Sequence, residues 1–299
     1  MRVERITVLG AGIMGRGIAY AAAVAGFDTA LYDVDAAALA KGEDEIRKLV
    51  DKGVEAGKVD AQAARALRLT TQREVEPAVA RADLVIEAAP EDIRLKLELF
   101  ARLDRSTRPE TILATNTSSL SVTEMAAATQ RAALVCGMHF FNPVHRMRLV
   151  EIVRGLETSK ETIATAEEVS RRMGKETVTV NESPGFVTTR VNALIGNEAF
   201  RMLQEGVAPP EDIDRALKLG LNHPMGPFEL VDLVGLDTRL SILNFLASTL
   251  GERFRPVPLM VQYVKAGRLG RKTGKGVYDY VDGKPVPRGT AQPSAVEAR

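Results

Sequence analysis

Apolar runs and amphipathic stretches alternate along the first 180 or so residues, and then the alternation stops. Short, β-branched runs at Arg5 to Leu9, Phe27 to Tyr32, Asp83 to Ala89, Thr111 to Ala114, Ala132 to Phe140, Leu149 to Val153 and Glu176 to Val180 read as strands. Between them lie stretches with helical spacing. Ile18 to Val24 is a run of small residues, and Ile93 to Arg105 repeats Leu95, Leu99 and Leu103 on one face. Strand and helix in alternation predict a mostly parallel sheet with crossover helices. Ala36 to Ala56 adds a long amphipathic stretch before the short run Leu69-Thr70-Thr71, so residues 36–68 read as a helical insertion. Ser183-Pro184-Gly185 breaks the chain, and the pattern from Phe186 onward is helical only. The expected organisation is therefore α/β over 1–182, an all-helical domain over 183–281, and a disordered proline-rich tail over 282–299.

Composition narrows the function classes. The 299 residues are 45% hydrophobic and 26% charged with a net charge of +1, which gives no large single-sign field for nucleic acid or a membrane surface. No apolar run approaches the length of a membrane span, and the first strand-like run begins too early for a signal segment, so a cytoplasmic protein is expected. The single cysteine, Cys136, cannot form an intrachain disulfide and sits in an apolar run as a buried thiol. The wide apolar face of the helix marked by Val191, Leu194, Ile195, Ala199, Met202 and Leu203 fits either core packing or a homodimer through the helical half.

The first strand runs into Gly10-Ala11-Gly12-Ile13-Met14-Gly15 and then a helix. Strand, glycine turn and helix together make a dinucleotide site: Gly10 permits the turn, Gly12 admits a pyrophosphate to the backbone, and Gly15 lets helix and strand pack closely. The second run ends at Asp33, whose carboxylate can accept from both ribose hydroxyls and would repel a 2′-phosphate. NAD is thus favoured over NADP. Ligands in such sheets lie beyond the carboxyl ends of the strands, where Glu91, Lys96, Asn116, Ser118 and Asn142 fall; helix caps and turns are the competing account of each.

Gly137-Met138-His139-Phe140-Phe141-Asn142-Pro143 precedes Leu149-Val150-Glu151-Ile152-Val153, which sets an imidazole and a carboxylate in neighbouring apolar runs. An imidazole, with an unperturbed pKa of about 6.5, exchanges protons near neutrality, and a carboxylate can fix its tautomer and stabilise the imidazolium. Taken alone, the pair also fits a core histidine and a strand glutamate.

Taken with Asn116-Thr117-Ser118-Ser119-Leu120, Ser183-Pro184-Gly185-Phe186, Pro224-Met225-Gly226-Pro227-Phe228-Glu229-Leu230 and Gly270-Arg271-Lys272-Thr273-Gly274, these motifs closely resemble the L-3-hydroxyacyl-CoA dehydrogenase family. Within it, the short bacterial 3-hydroxybutyryl-CoA dehydrogenases are the nearest match. The resemblance implies a Rossmann-like NAD domain, a helical dimerisation domain, an active site in the cleft between them, and a place in fatty acid or butanoate metabolism. It further implies His139 as catalytic base, Glu151 as its orienting partner and Ser118 as a substrate-contacting hydroxyl. Asp33, Glu91, Lys96, Ser118, Asn142 and Lys272 would be NAD contacts. One position departs from the pattern: Thr189 stands where the family usually carries an active-site asparagine, and Asn192 is a nearby substitute. An acyl-CoA substrate would need cations for its phosphates, which Lys48, Lys52 and Lys58 offer, with solvated helix lysines as the competing account. Two rivals share the scaffold, an NAD-dependent sugar-acid dehydrogenase of the L-gulonate type and a non-catalytic crystallin-like relative. No metal-ligand spacing is present.

Overall fold

Strands whose side chains are apolar on both faces form the centre of the first half. The computed structural model describes residues 2–286. In chain order, β1 (Arg5–Leu9), α1 (Ile13–Val24), β2 (Asp28–Tyr32), α2 (Ala36–Glu55), α3 (Ala61–Arg65) and β3 (Leu69–Gln72) come first. Next are α4 (Val75–Val79), β4 (Leu84–Glu87), α5 (Ile93–Ser106), β5 (Ile112–Thr115) and α6 (Val122–Ala127). The half ends with β6 (Val135–Phe140), β7 (Leu149–Arg154), α7 (Lys160–Arg172) and β8 (Glu176–Asn181). The eight strands make one sheet in the order β3-β2-β1-β4-β5-β6-β7-β8.

Every neighbouring pair is parallel except β6 and β7. The exception follows from chain length: residues 141–148 are too few for a crossover helix, whereas antiparallel strands accept a short connection. Apolar side chains fill both faces. Ile6, Val8, Ile86, Ile112 and Met138 pack with Ile18, Leu39, Ile46 and Val169 on one side. Val85, Leu113, Val135 and Val153 pack with Val75, Phe100, Leu103 and Met125 on the other. Each such side chain, fully buried, stabilises the fold by roughly 1.5–3 kcal/mol. Cys136 is fully buried in β6, and burial pushes its thiol up to about 12. Asp35, Asp60, Asp92, Ser121 and Ser159 cap the helices that follow them, which fixes where each begins.

The chain separates into two units after Phe186, where the sequence reading put the break at 182. The second unit contains α8 (Thr188–Gln204), α9 (Pro210–Gly220), α10 (Pro227–Val234), α11 (Leu236–Leu250) and α12 (Pro258–Lys265) around a core of Phe200, Phe228, Leu243, Leu246, Phe254 and Met260. A proline opens α9, α10 and α12, the position where its missing N–H costs nothing. Two buried carboxylates tie the following segment to these helices. Asp232 accepts from the N–H groups of Val277 and Tyr278 at 2.8 and 3.0 Å, and Asp214 accepts from the hydroxyl of Tyr278 at 2.8 Å. Burial raises both carboxyls above their usual range.

The tail expected from 282 is corrected over its first residues. β9 (Asp279–Val281) and β10 (Lys284–Val286) pair as an antiparallel hairpin. Asp282 and Gly283 have φ of 50° and 73°, the two positive values that a tight hairpin turn needs, and Asp-Gly is a sequence signal for that turn. Residues 287–299 of the expected tail lie outside the described residues.

Candidate active site

The glycine turn is dictated by contact distances. Gly10 has φ +101°, and a Cβ there would stand 2.6 Å from the carbonyl oxygen of Ala88; one on Gly15 would stand 1.7 Å from the oxygen of Gly10. Any side chain at either position would push helix and strand apart. Gly12 differs: a Cβ there would meet no protein atom within 4 Å, so it would fill only the space over the turn that a pyrophosphate needs. Ile13 is exposed and Met14 half-buried at the start of α1. Asp33, at the end of β2, accepts from the N–H of Ala11 at 2.7 Å and of Asp35 at 2.9 Å, one on each oxygen. An ionised carboxylate has further lone pairs, so the ribose hydroxyls still find acceptors. These residues fit a dinucleotide.

At the carboxyl end of β4 lies a buried network. Lys96 is 1% exposed, and its ammonium donates to Glu87 Oε1 at 2.6 Å and to the carbonyl of Ala89 at 3.4 Å, with Glu91 Oε2 also 3.4 Å away. Glu87, fully buried, also accepts from the N–H of Ala89 and the hydroxyl of Thr115, both at 2.6 Å. Glu91 in turn accepts from the hydroxyl of Thr117 and from the N–H of Ser118 at 3.1 Å. Lys96 is thus held inside the protein, hydrogen-bonded to two protein oxygens and ion-paired with the half-exposed Glu91, its outlet towards the surface. The sequence reading passed over Glu87, Thr115 and Thr117. The signal was there: a glutamate ending a wholly apolar parallel strand needs a buried partner.

His139 and Glu151 face each other across the antiparallel pair. The register sets residue 139 opposite 151, so both side chains project from the same face of the sheet. His139 Nδ1 is 2.7 Å from Glu151 Oε2, with the imidazole 8% and the carboxylate 0% exposed. With Nδ1–H donating to the carboxylate, the neutral ring presents the lone pair of Nε2. The ring is walled by Phe141 and Phe186, at centroid distances of 4.4 and 5.9 Å. Phe186 holds φ of 47°, an unusual conformation for an aromatic residue that costs on the order of 1–3 kcal/mol. Asn116 fixes the strand end, accepting from the N–H of Phe140 at 2.9 Å.

Asn142 is exposed just beyond β6. Lys48 is exposed on α2 and paired with Asp44 at 2.7 Å, and Lys52 is exposed one turn on. In the second unit Thr189 and Asn192 are half-buried in the first turns of α8. Lys272, also in that unit, has its ammonium 2.6 Å from both carboxylate oxygens of Asp237. Among the described residues no cluster of His, Cys, Asp and Glu could hold a metal ion, and no helix is long and apolar enough to cross a membrane.

Residues 5–183 match the family model for the NAD binding domain of 3-hydroxyacyl-CoA dehydrogenase, and residues 185–280 match that for its C-terminal domain. A protein of Bacillus subtilis (strain 168) named "probable 3-hydroxybutyryl-CoA dehydrogenase" is 49% identical over 283 residues, 94% of this chain and 98% of its own. A 3-hydroxybutyryl-CoA dehydrogenase of Bradyrhizobium diazoefficiens is 44% identical over 287 residues, 95% of this chain and 98% of its own. The crystal structure of an (S)-3-hydroxybutyryl-CoA dehydrogenase from Ralstonia eutropha is similar with a TM-score of 0.90 at 42% identity, over 94% of this chain and 100% of that one. The chain belongs to the 3-hydroxyacyl-CoA dehydrogenase family, with NAD as its cofactor.

Proposed function

We propose that this chain interconverts (S)-3-hydroxyacyl-CoA and 3-ketoacyl-CoA, with short acyl chains preferred and His139 as the group that moves the proton. The observation that carries the reading is the 2.7 Å pair of His139 Nδ1 and Glu151 Oε2 in the same sheet as a complete dinucleotide turn. Oxidation of the 3-hydroxyl removes a proton from oxygen while hydride leaves carbon for the bound NAD, the one step that the cofactor supplies. Nε2 of His139 accepts the proton. Glu151 holds the ring in the tautomer that exposes Nε2 and stabilises the imidazolium that forms. In the reductive direction the imidazolium returns the proton to the carbonyl oxygen. The hydroxyl of Ser118, whose own N–H is fixed on Glu91, donates to the same substrate oxygen.

The cofactor contacts follow from the geometry of the turn. The N–H groups behind Gly12, Ile13 and Met14 open α1 towards the pyrophosphate, and Asp33 accepts from the ribose. Glu91 lies at the surface of its network and takes the next contact, with Lys96 acting on it from beneath. Lys48 and Lys52 on α2 supply charge for the CoA phosphates. The names of the relatives support the short-chain preference, and with it a place in butanoate or fatty acid metabolism. Exposed Val207, Leu219, Leu221 and Leu233 in the helical unit support a homodimer.

A chain-length series of 3-ketoacyl-CoA from C4 to C16, assayed with NADH and NADPH beside the NAD+-dependent oxidation of free hydroxy acids, tests the reading. The expected result is NADH-dependent reduction fastest with acetoacetyl-CoA. Turnover of free hydroxy acids in preference to the thioesters would replace it with the sugar-acid reading.

A further inference from the structure

The helical unit holds a buried cation with no counter-charge among the described residues. Lys96, Lys175 and Arg239 are the lysine and arginine side chains buried there. Lys96 has Glu87, and Lys175 donates to the carbonyls of Val144 and Met147, the latter at 2.9 Å. Arg239, in the first turns of α11 and 2% exposed, has no side-chain hydrogen bond or ion pair among the described residues.

The acidic residues that precede it in the sequence are engaged elsewhere. Asp237 has both carboxylate oxygens 2.6 Å from Lys272 Nζ. Asp232 accepts from the N–H groups of Val277 and Tyr278 and from the hydroxyl of Tyr280. Burial alone pulls the Arg239 guanidinium down to about 10, with no carboxylate acting against it, and the group stays charged at neutral pH. Packing holds it in place. A Cβ on Gly196 of α8 would stand 3.0 Å from Val231 Cγ2 and 3.8 Å from Arg239 Nε, so the glycine lets α10 and α11 press against the bare backbone of α8. A glycine inside a helix and an unpaired charge inside a core are both unfavourable. Their coincidence at one place marks a site that a ligand completes.

The ligand class follows from which end of the guanidinium is open. Nε is sealed from solvent without a partner, whereas the two Nη groups are not sealed, so the fork is the end that a ligand reaches. A fork matches two coplanar oxygens, the geometry of a carboxylate, and a halide has no second atom to offer it. Inorganic phosphate would bring more charge into a core that includes Ala193, Val231 and Leu243, where desolvation costs most. Those side chains favour a single charge with an apolar tail.

We propose that Arg239 binds a short-chain carboxylate, of acetate to butyrate size, within the helical unit. The site uses none of the residues of the dinucleotide turn or of the His139–Glu151 pair, and it stands or falls independently of the reaction proposed above. The carboxylate supplies the missing counter-charge, so its occupancy stabilises the folded helical unit by mass action.

Urea unfolding of the full chain at constant ionic strength, with butyrate, acetate, chloride or inorganic phosphate as the anion, tests it in the wild type, Arg239→Met and Arg239→Lys. The wild-type midpoint is expected to rise with butyrate and saturate, to rise less with acetate, and to stay level across the same concentrations of chloride. Arg239→Met replaces the unpaired charge by an apolar side chain. It is expected to start above the wild type in chloride and to need at least about tenfold more butyrate for the same rise. Arg239→Lys keeps the charge and loses the fork, so its response falls between the two. Saturation-transfer NMR of butyrate on the folded proteins should give the same ranking. A rise with chloride or phosphate equal to that with butyrate would mark a general anion effect and overturn the proposal. An unchanged butyrate response in Arg239→Met, or a wild-type midpoint that butyrate does not move, overturns it as well.

Discussion

Two glutamates of the same sheet, Glu87 and Glu151, are both fully buried, and each has a basic side chain within 2.7 Å. They are nevertheless built for different tasks. Glu87 meets an ammonium, which has donors and no acceptor, and its oxygens take two further donors from Ala89 and Thr115. The ammonium there has no lone pair with which to accept a proton from a substrate. Glu151 meets an imidazole, whose second nitrogen stays available when the first is held. The comparison teaches that burial of a charged pair does not by itself mark chemistry; what marks it is a partner with a second, unspent site.

The contrast can be broken at either pair. The largest effect is expected from Glu151→Gln, because an amide can hold the imidazole in the wrong tautomer and cannot stabilise its charged form. Turnover should fall by on the order of 10²–10⁴-fold with little change in the melting temperature, read from steady-state kinetics beside thermal unfolding. Lys96→Met should do the reverse. It leaves the Glu87 carboxylate buried without its cation and should cost about 3–5 kcal/mol in urea unfolding, while the folded fraction keeps most of its turnover. Were Lys96→Met to abolish turnover at unchanged stability, the two glutamates would not differ in the way described. Thr115→Val removes a single donor from Glu87 and keeps the side-chain shape. A loss of about 1–3 kcal/mol in unfolding free energy is expected, with KM for NADH and turnover unaffected.

Only one side of this contrast is legible in the sequence. The glycine turn and Asp33 were legible because a dinucleotide site is local: one strand, one turn, one helix, with distances set by the backbone. His139 and Glu151 were legible as a pair of residue types, but their meeting depended on β6 and β7 being antiparallel, which only the short connection 141–148 signals. Glu87 was missed because its partners come from α5 and β5, and such pairings across a sheet leave no spacing in the sequence. In the sequence Phe186 reads only as the start of the helical half and the end of the Ser183-Pro184-Gly185-Phe186 motif. Its ring packs beside His139 because its backbone takes a positive φ, which the Pro-Gly before it does not reveal. At the other end of the chain, three prolines give residues 282–299 the composition of a tail, whereas Asp282-Gly283 is a turn signal and residues 282–286 belong to a hairpin.

The central claim is that the ring held by Glu151 moves the proton, and His139→Gln addresses it without the ambiguity of a partner residue. Its single-turnover rate with acetoacetyl-CoA and pre-bound NADH should fall by on the order of 10²–10⁴-fold while NADH affinity stays at the wild-type value. A His139→Gln protein that reduces acetoacetyl-CoA at a near-normal rate would contradict the account.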